Sequence, residues 1–145
     1  MARKLNILFL CTGNACRSQM AEGWVRALRG EVIEPYSAGT APHGLDERAV
    51  AVMAEAGVDI SRHRSKSVSE LAGVTFDYVV TVCDRAREAC PFFPGQAKLV
   101  HVGFDDPPAL ARDAATPEEA LAHYRRVRDQ IREYILTLPD SLTNS

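Results

Sequence analysis

The stretch Leu5 to Leu10 (LNILFL) constrains this chain more than any other. It is mostly apolar and rich in strand-forming residues, whereas a half-exposed strand would alternate. A strand of that kind is covered on both faces, which calls for helices packed around a sheet. The next residues fit that demand. Cys11 to Cys16 is short and contains Gly13 and Asn14, both tolerant of unusual backbone angles. After Arg17 the period changes. Met20, Trp24 and Leu28 recur every fourth residue beside Ala21 and Val25, the pattern of an amphipathic helix that Gly30 ends. The opening is therefore strand, tight loop, helix.

The alternation continues. Ile33 to Ser37 reads as a second strand, and Ala38 to Gly44 as a loop. Asp46 can cap a helix with Ala49, Val52, Met53 and Ala56 on its apolar face, closed by Gly57. Ser67 and Glu70 form a weak capping box for a short helix through Leu71. Tyr78 to Val82 and Ala97 to Val102 read as the third and fourth strands. A polar, helix-compatible segment runs from Cys83 to Cys90, and Pro91, Pro94 and Gly95 punctuate the chain beyond it. Thr116, Pro117 and Glu119 start a long helix whose apolar stripe runs from Ala120 to Leu138. The pattern predicts an α/β fold with a four-stranded, mostly parallel central sheet. No repeat or linker divides residues 1–145, so a single domain is expected. Ligands in such folds bind beyond the carboxyl ends of the strands. Cys11, Cys83 and the Asp105–Asp106 pair each come just after a predicted strand and can meet at one rim.

Overall charge narrows the partners. A formal net charge of -2 gives no reason to expect nucleic acid or an anionic membrane. Arg62, His63, Arg64 and Lys66 form the only basic cluster and read as a solvated loop. No apolar run approaches the ~18 residues of a membrane span, and Met1 to Leu10 lacks a signal-peptide cleavage pattern. The expected compartment is the cytoplasm, where four cysteines suit redox or catalytic chemistry better than structural bridging. A monomer is expected, since no surplus apolar face is evident.

The segment Cys11-Thr12-Gly13-Asn14-Ala15-Cys16-Arg17-Ser18 carries the chemistry. Its length between Cys11 and Arg17 suits wrapping a tetrahedral oxyanion. Backbone N–H groups from Thr12 to Arg17 can point inward as a nest, and the helix beyond adds its positive end. Arg17 offers a planar fork to two oxygens, and the same field favours a thiolate at Cys11. Ser18 can donate to that sulfur. The loop lacks the terminal Gly-Lys-Ser/Thr of a nucleotide-binding Walker sequence. Cys16 is expected to be structural.

With this loop in view, CTGNACRSQMAEG resembles the signature of thioredoxin-coupled arsenate reductases, which share the three-layer fold of low-molecular-weight protein tyrosine phosphatases. Tyr36-Ser37-Ala38-Gly39, Gly57 to His63, Val79 to Pro91 and Gly103-Phe104-Asp105-Asp106-Pro107 extend the resemblance over nearly the whole chain. The pairing of the loop with Cys83 and Cys90 is its most specific part, because the plain phosphatases are not expected to have it. The resemblance implies Cys11 as attacking thiolate, Arg17 as clamp, Ser18 as tuning group and Asp106 as general acid. It further implies Cys83 and Cys90 as second and third redox cysteines, with thioredoxin as reductant and no cofactor. Arsenate would be attacked by Cys11, a Cys11–Cys83 disulfide would form as arsenite leaves, and a Cys83–Cys90 disulfide would come next. Were Cys83 to Cys90 helical, the two would lie about 10.5 Å apart along its axis, beyond the ~4.4–6.8 Å that a disulfide allows between Cα atoms. Bridging would therefore have to unwind the segment.

The chain also departs from the resemblance in places. Some members hold a potassium ion near Asn14, Glu22 and Ser37, with a carboxylate at the place of Lys66. Here the Lys66 ammonium can fill that space, so no monovalent cation is expected to be required. Ala15 replaces a common serine, a change expected to be tolerated. Pro108 stands where phosphatases tend to carry a tyrosine, which disfavours a bulky aryl substrate. Asp105 remains the rival of Asp106. His43 and His63 are expected to be loop residues without a direct role. The His and Cys positions form no zinc pattern, and no metal is expected. The alternative enzyme is a phosphatase of phosphotyrosine or small phosphomonoesters using Cys11, Arg17 and Asp106. The non-catalytic alternative is an oxyanion sensor.

Overall fold

The computed structural model describes residues 3–83 and 97–143. Four strands, β1 (Leu5–Cys11), β2 (Ile33–Gly39), β3 (Tyr78–Thr81) and β4 (Lys98–His101), form one sheet in the order β2-β1-β3-β4. Every pairing is parallel. β1 lies inside the sheet, and Ile7 to Leu10 are fully buried, as their unbroken apolar run requires. The helices are α1 (Arg17–Leu28), α2 (Glu47–Glu55), α3 (Pro107–Arg112), α4 (Pro117–Leu136) and α5 (Asp140–Thr143), with a 3-10 turn at Val68–Leu71. α1 packs on β1, β2 and α4, while α2 and α3 also pack on α4. The result is an α/β sandwich with helices around a parallel sheet.

Local chemistry sets the helix starts. The Asp46 carboxylate accepts the Arg48 N–H at 2.9 Å, and the Thr116 hydroxyl accepts the Glu119 N–H at 3.1 Å. Two helices differ from expectation. The sequence predicts no element across Pro107 to Arg112, yet α3 forms there with Asp106 as its cap residue and Pro107 in its first turn. The long helix stops at Leu136 rather than Leu138, and α5 comes after Pro139. Cys90 and the helix-compatible segment 84–89 lie outside the described residues. Among the described residues no helix is long and apolar enough to cross a membrane.

Parallel register fixes the site. Cys11 pairs with Gly39, Leu10 with Thr81, and Thr81 with His101. The carboxyl ends of all four strands therefore share one rim, from which Cys11, Cys83 and the Asp106 loop emerge.

Candidate active site

β1 delivers Cys11 to that rim, and α1 begins six residues later at Arg17. Between them the chain turns at Asn14, whose φ of 48° lies in the left-handed region. The segment after β2 holds the loop from outside. Thr40, Ala41, His43 and Asp46 donate backbone N–H groups to the carbonyls of Cys11, Thr12, Gly13 and Ala15 at 2.9–3.1 Å. With those carbonyls turned outward, the loop amides are left to face inward, the arrangement of an anion nest. This outer wall needs glycines. A Cβ on Gly39 would stand 2.5 Å from the Thr12 carbonyl oxygen, and one on Gly13 would stand 2.2 Å from His43 Nε2.

Two donors converge on the Cys11 sulfur. The Asn14 N–H reaches Sγ at 3.2 Å, and Ser18 Oγ lies 2.8 Å from it. The Asn14 amide orientation settles the Ser18 proton. Asn14 Oδ1 accepts the Lys66 backbone N–H at 2.9 Å, so Nδ2 is the group that donates to Ser18 Oγ at 2.8 Å. Ser18 accepts from Asn14 and turns its own hydrogen toward Cys11. Asn14 itself is fully buried beneath the loop, whereas Thr12, Gly13, Ala15, Cys16 and Arg17 line the pocket above it. Burial, reinforced by the Asp46 carboxylate, pushes the Cys16 thiol well above its ordinary range, consistent with a structural residue.

The pocket has a volume of about 520 Å³. Arg17 is mostly buried in its wall. Its Nη1 donates to the Phe104 carbonyl at 2.9 Å, and its Nη2 lies 3.6 Å from Asp106 Oδ1. Asp106 lines the pocket. Asp105 turns away, with Oδ2 3.4 Å from Arg126 Nη2 on α4. Cys83 is buried on the same wall, its sulfur 3.5 Å from Thr12 Oγ1. Cys11 and Cys16 are free thiols. Among the described residues, His43, Pro108 and Arg112 complete the lining.

A polar network backs the loop. Gln19 Nε2 donates to Asn14 O and Oδ1 and to Arg64 O at 3.0–3.1 Å, leaving its Oε1 to accept from His63 Nδ1 at 3.0 Å. Burial pulls the His63 pKa down against the opposing carboxylate of Glu22, 3.6 Å from Nε2. Glu22 is itself buried. It accepts from the Ser37 hydroxyl at 2.6 Å and from Arg26 Nη2 at 3.1 Å. Lys66 Nζ sits 3.9 Å from Glu22 Oε1 and donates to the Arg64 carbonyl at 3.1 Å. Glu22 thus faces cations of the chain itself, Arg26 at 3.1 Å and Lys66 at 3.9 Å. Gln19, His43 and Arg112 were not among the expected site residues. Among the described residues, no cluster of three or more His, Cys, Asp or Glu side chains could hold a metal.

Comparison with known proteins identifies the family. Residues 6–145 match the family model of low molecular weight phosphotyrosine protein phosphatases. An arsenate reductase of Halalkalibacterium halodurans is 45% identical over 93% of this chain and 95% of its own length. One from Bacillus subtilis is 48% identical over 86% and 88% respectively. A solved arsenate reductase in its oxidized state superposes with a TM-score of 0.75 at 28% identity, covering 92% of this chain and 95% of that one. The chain therefore belongs to the arsenate reductases of the low molecular weight phosphotyrosine protein phosphatase family.

Proposed function

We propose that the protein reduces arsenate to arsenite through a relay of three cysteines and is regenerated by thioredoxin. Cys11 Sγ attacks arsenic, an S–As bond forms, and one oxygen leaves as water with a proton from Asp106. Cys83 attacks Cys11 Sγ. An S–S bond forms, the S–As bond breaks, and its electron pair stays on arsenic, which departs as arsenite. Cys90 then attacks Cys83, moving the disulfide to Cys83–Cys90 and releasing Cys11 as thiolate. A dithiol of the thioredoxin kind reduces that disulfide. Arg17 holds two oxygens of the anion, and Ser18 donates to the Cys11 sulfur whenever it is a thiolate.

The observation that carries this assignment is the second buried thiol. Cys83 shares the Cys11 pocket and stands 3.5 Å from Thr12 Oγ1, a placement that a phosphomonoesterase does not need. Asp106 is favoured over Asp105 as acid because it lines the pocket while Asp105 pairs with Arg126. A phosphatase reading draws on the same loop. No Phe, Tyr or Trp among the described residues lines the pocket, which counts against an aryl phosphate as the preferred substrate.

Arsenate-dependent NADPH consumption with thioredoxin and thioredoxin reductase tests the assignment. Cys83→Ser should lower it at least about a hundredfold while slow p-nitrophenyl phosphate hydrolysis stays within about threefold. Cys90→Ser should stop after one turnover and yield a Cys11–Cys83 disulfide in peptide maps. Sustained arsenate turnover in both variants would sink the relay. Because Lys66 stands at Glu22, replacing potassium by choline at constant ionic strength should leave KM for arsenate within about twofold.

A further inference from the structure

α3 brings a second arginine to the mouth of the Cys11 pocket. Pro108 and Arg112 stand four residues apart on this helix, hence on one face, and both line the pocket. The Arg112 side chain is exposed, and no carboxylate among the described residues pairs with it. Arg17 is in the opposite situation. Its Nη2 lies 3.6 Å from Asp106 Oδ1 and its Nη1 is spent on the Phe104 carbonyl. Its charge is therefore partly countered before a ligand arrives, and a thiolate at Cys11 would subtract further. A dianion approaching the pocket gains little long-range attraction from that group alone.

We infer that Arg112 is a substrate-binding residue, whose guanidinium captures an incoming dianionic tetrahedral oxyanion at the pocket mouth and passes it to the Cys11–Arg17 loop. The inference rests on the oxyanion chemistry proposed above and adds to it a residue outside the loop. A planar fork can engage two oxygens of arsenate or phosphate. From an exposed rim it acts through a field that salt screens, so it governs encounter and binding rather than the bond-making step. Asp106 is the N-cap residue of the same short helix that ends at Arg112, so the capturing group and the candidate acid stand at the two ends of one element.

Inorganic phosphate is the probe, read as protection of Cys11 against iodoacetamide. This needs no reductase turnover, so failure here is separable from failure of arsenate reduction. In Arg112→Gln the half-protecting phosphate concentration should rise about five- to tenfold, and in Arg112→Glu more, whereas Arg112→Lys should stay within about threefold. The gap between wild type and Arg112→Gln should narrow as sodium chloride rises from about 0.05 to 0.5 M. In the arsenate assay, Arg112→Gln should raise KM by a similar factor with kcat within about twofold. Unchanged protection in the Gln and Glu variants at low salt overturns the inference. A fall in kcat at unchanged KM overturns it as well, since Arg112 would then act on the chemistry. Shifted protection in a protein that fails to reduce arsenate supports Arg112 and sinks only the reductase assignment.

Discussion

Asn14 is the residue on which the loop turns. It occupies the left-handed region that a short amide side chain tolerates, and it serves Cys11, Ser18, Gln19 and Lys66 at once. Asn14→Ala removes three side-chain hydrogen bonds and leaves a Cβ residue in a strained conformation. The expected cost is about 3 kcal/mol in urea unfolding, with Cys11 alkylation no longer protected by phosphate. His63 sets a pH dependence. Its folded pKa is lowered, mainly by burial, so the unfolded chain binds the proton more readily. The associated stability is fully present above the unfolded value of about 6.5 and is lost as pH falls through the folded value. Melting temperature tracked downward from neutral pH should fall less steeply in His63→Gln than in wild type. Cys11, Arg17 and Ser18 are legible in the sequence because they lie within eight consecutive residues. Gln19 is not legible there as a buried partner of the loop. On a helix with an apolar stripe, a polar residue at that position looks like the solvated side, and only the fold shows it bonded to Asn14.

At the scale of elements, β2 does more than widen the sheet. It ends at Gly39, whose missing side chain lets the Thr12 carbonyl and Asn14 come close. Gly39→Ala should displace the loop, weaken phosphate protection of Cys11 at least about tenfold and cost about 1–3 kcal/mol of stability, read by alkylation and thermal melting. β1 and β3 are readable because buried parallel strands are short apolar runs, and α2 and α4 because their caps and stripes coincide. α3 is not. At six residues it is too short for an apolar period to show, and its one signal, an aspartate ahead of two prolines, is also how a loop is written.

At the scale of the molecule, alternation of strands and helices indicates the fold class, but not that β1 lies between β2 and β3. That order is decided by which faces pack, a tertiary property. Asp46 links three distant parts. Its Oδ2 accepts from the Tyr124 hydroxyl on α4 at 2.6 Å, its Oδ1 caps α2, and its N–H holds the Ala15 carbonyl. Tyr124→Phe should lower global stability by about 1–2 kcal/mol in urea unfolding. Phosphate should protect Cys11 less well in that variant, because the loop loses part of its anchorage to the long helix. Equal phosphate protection in both proteins would confine Tyr124 to packing.

The pairing of Arg17 with Asp106 also shapes how tenants enter and leave. At 3.6 Å, with a carboxylate that is 43% exposed, it is a loose contact of the kind worth about 0–1 kcal/mol. In the proposed reaction an arriving anion would compete with this aspartate for Arg17, and on departure the aspartate could pair with Arg17 again. Affinity would then be a difference between two guests of one guanidinium, the anion and Asp106.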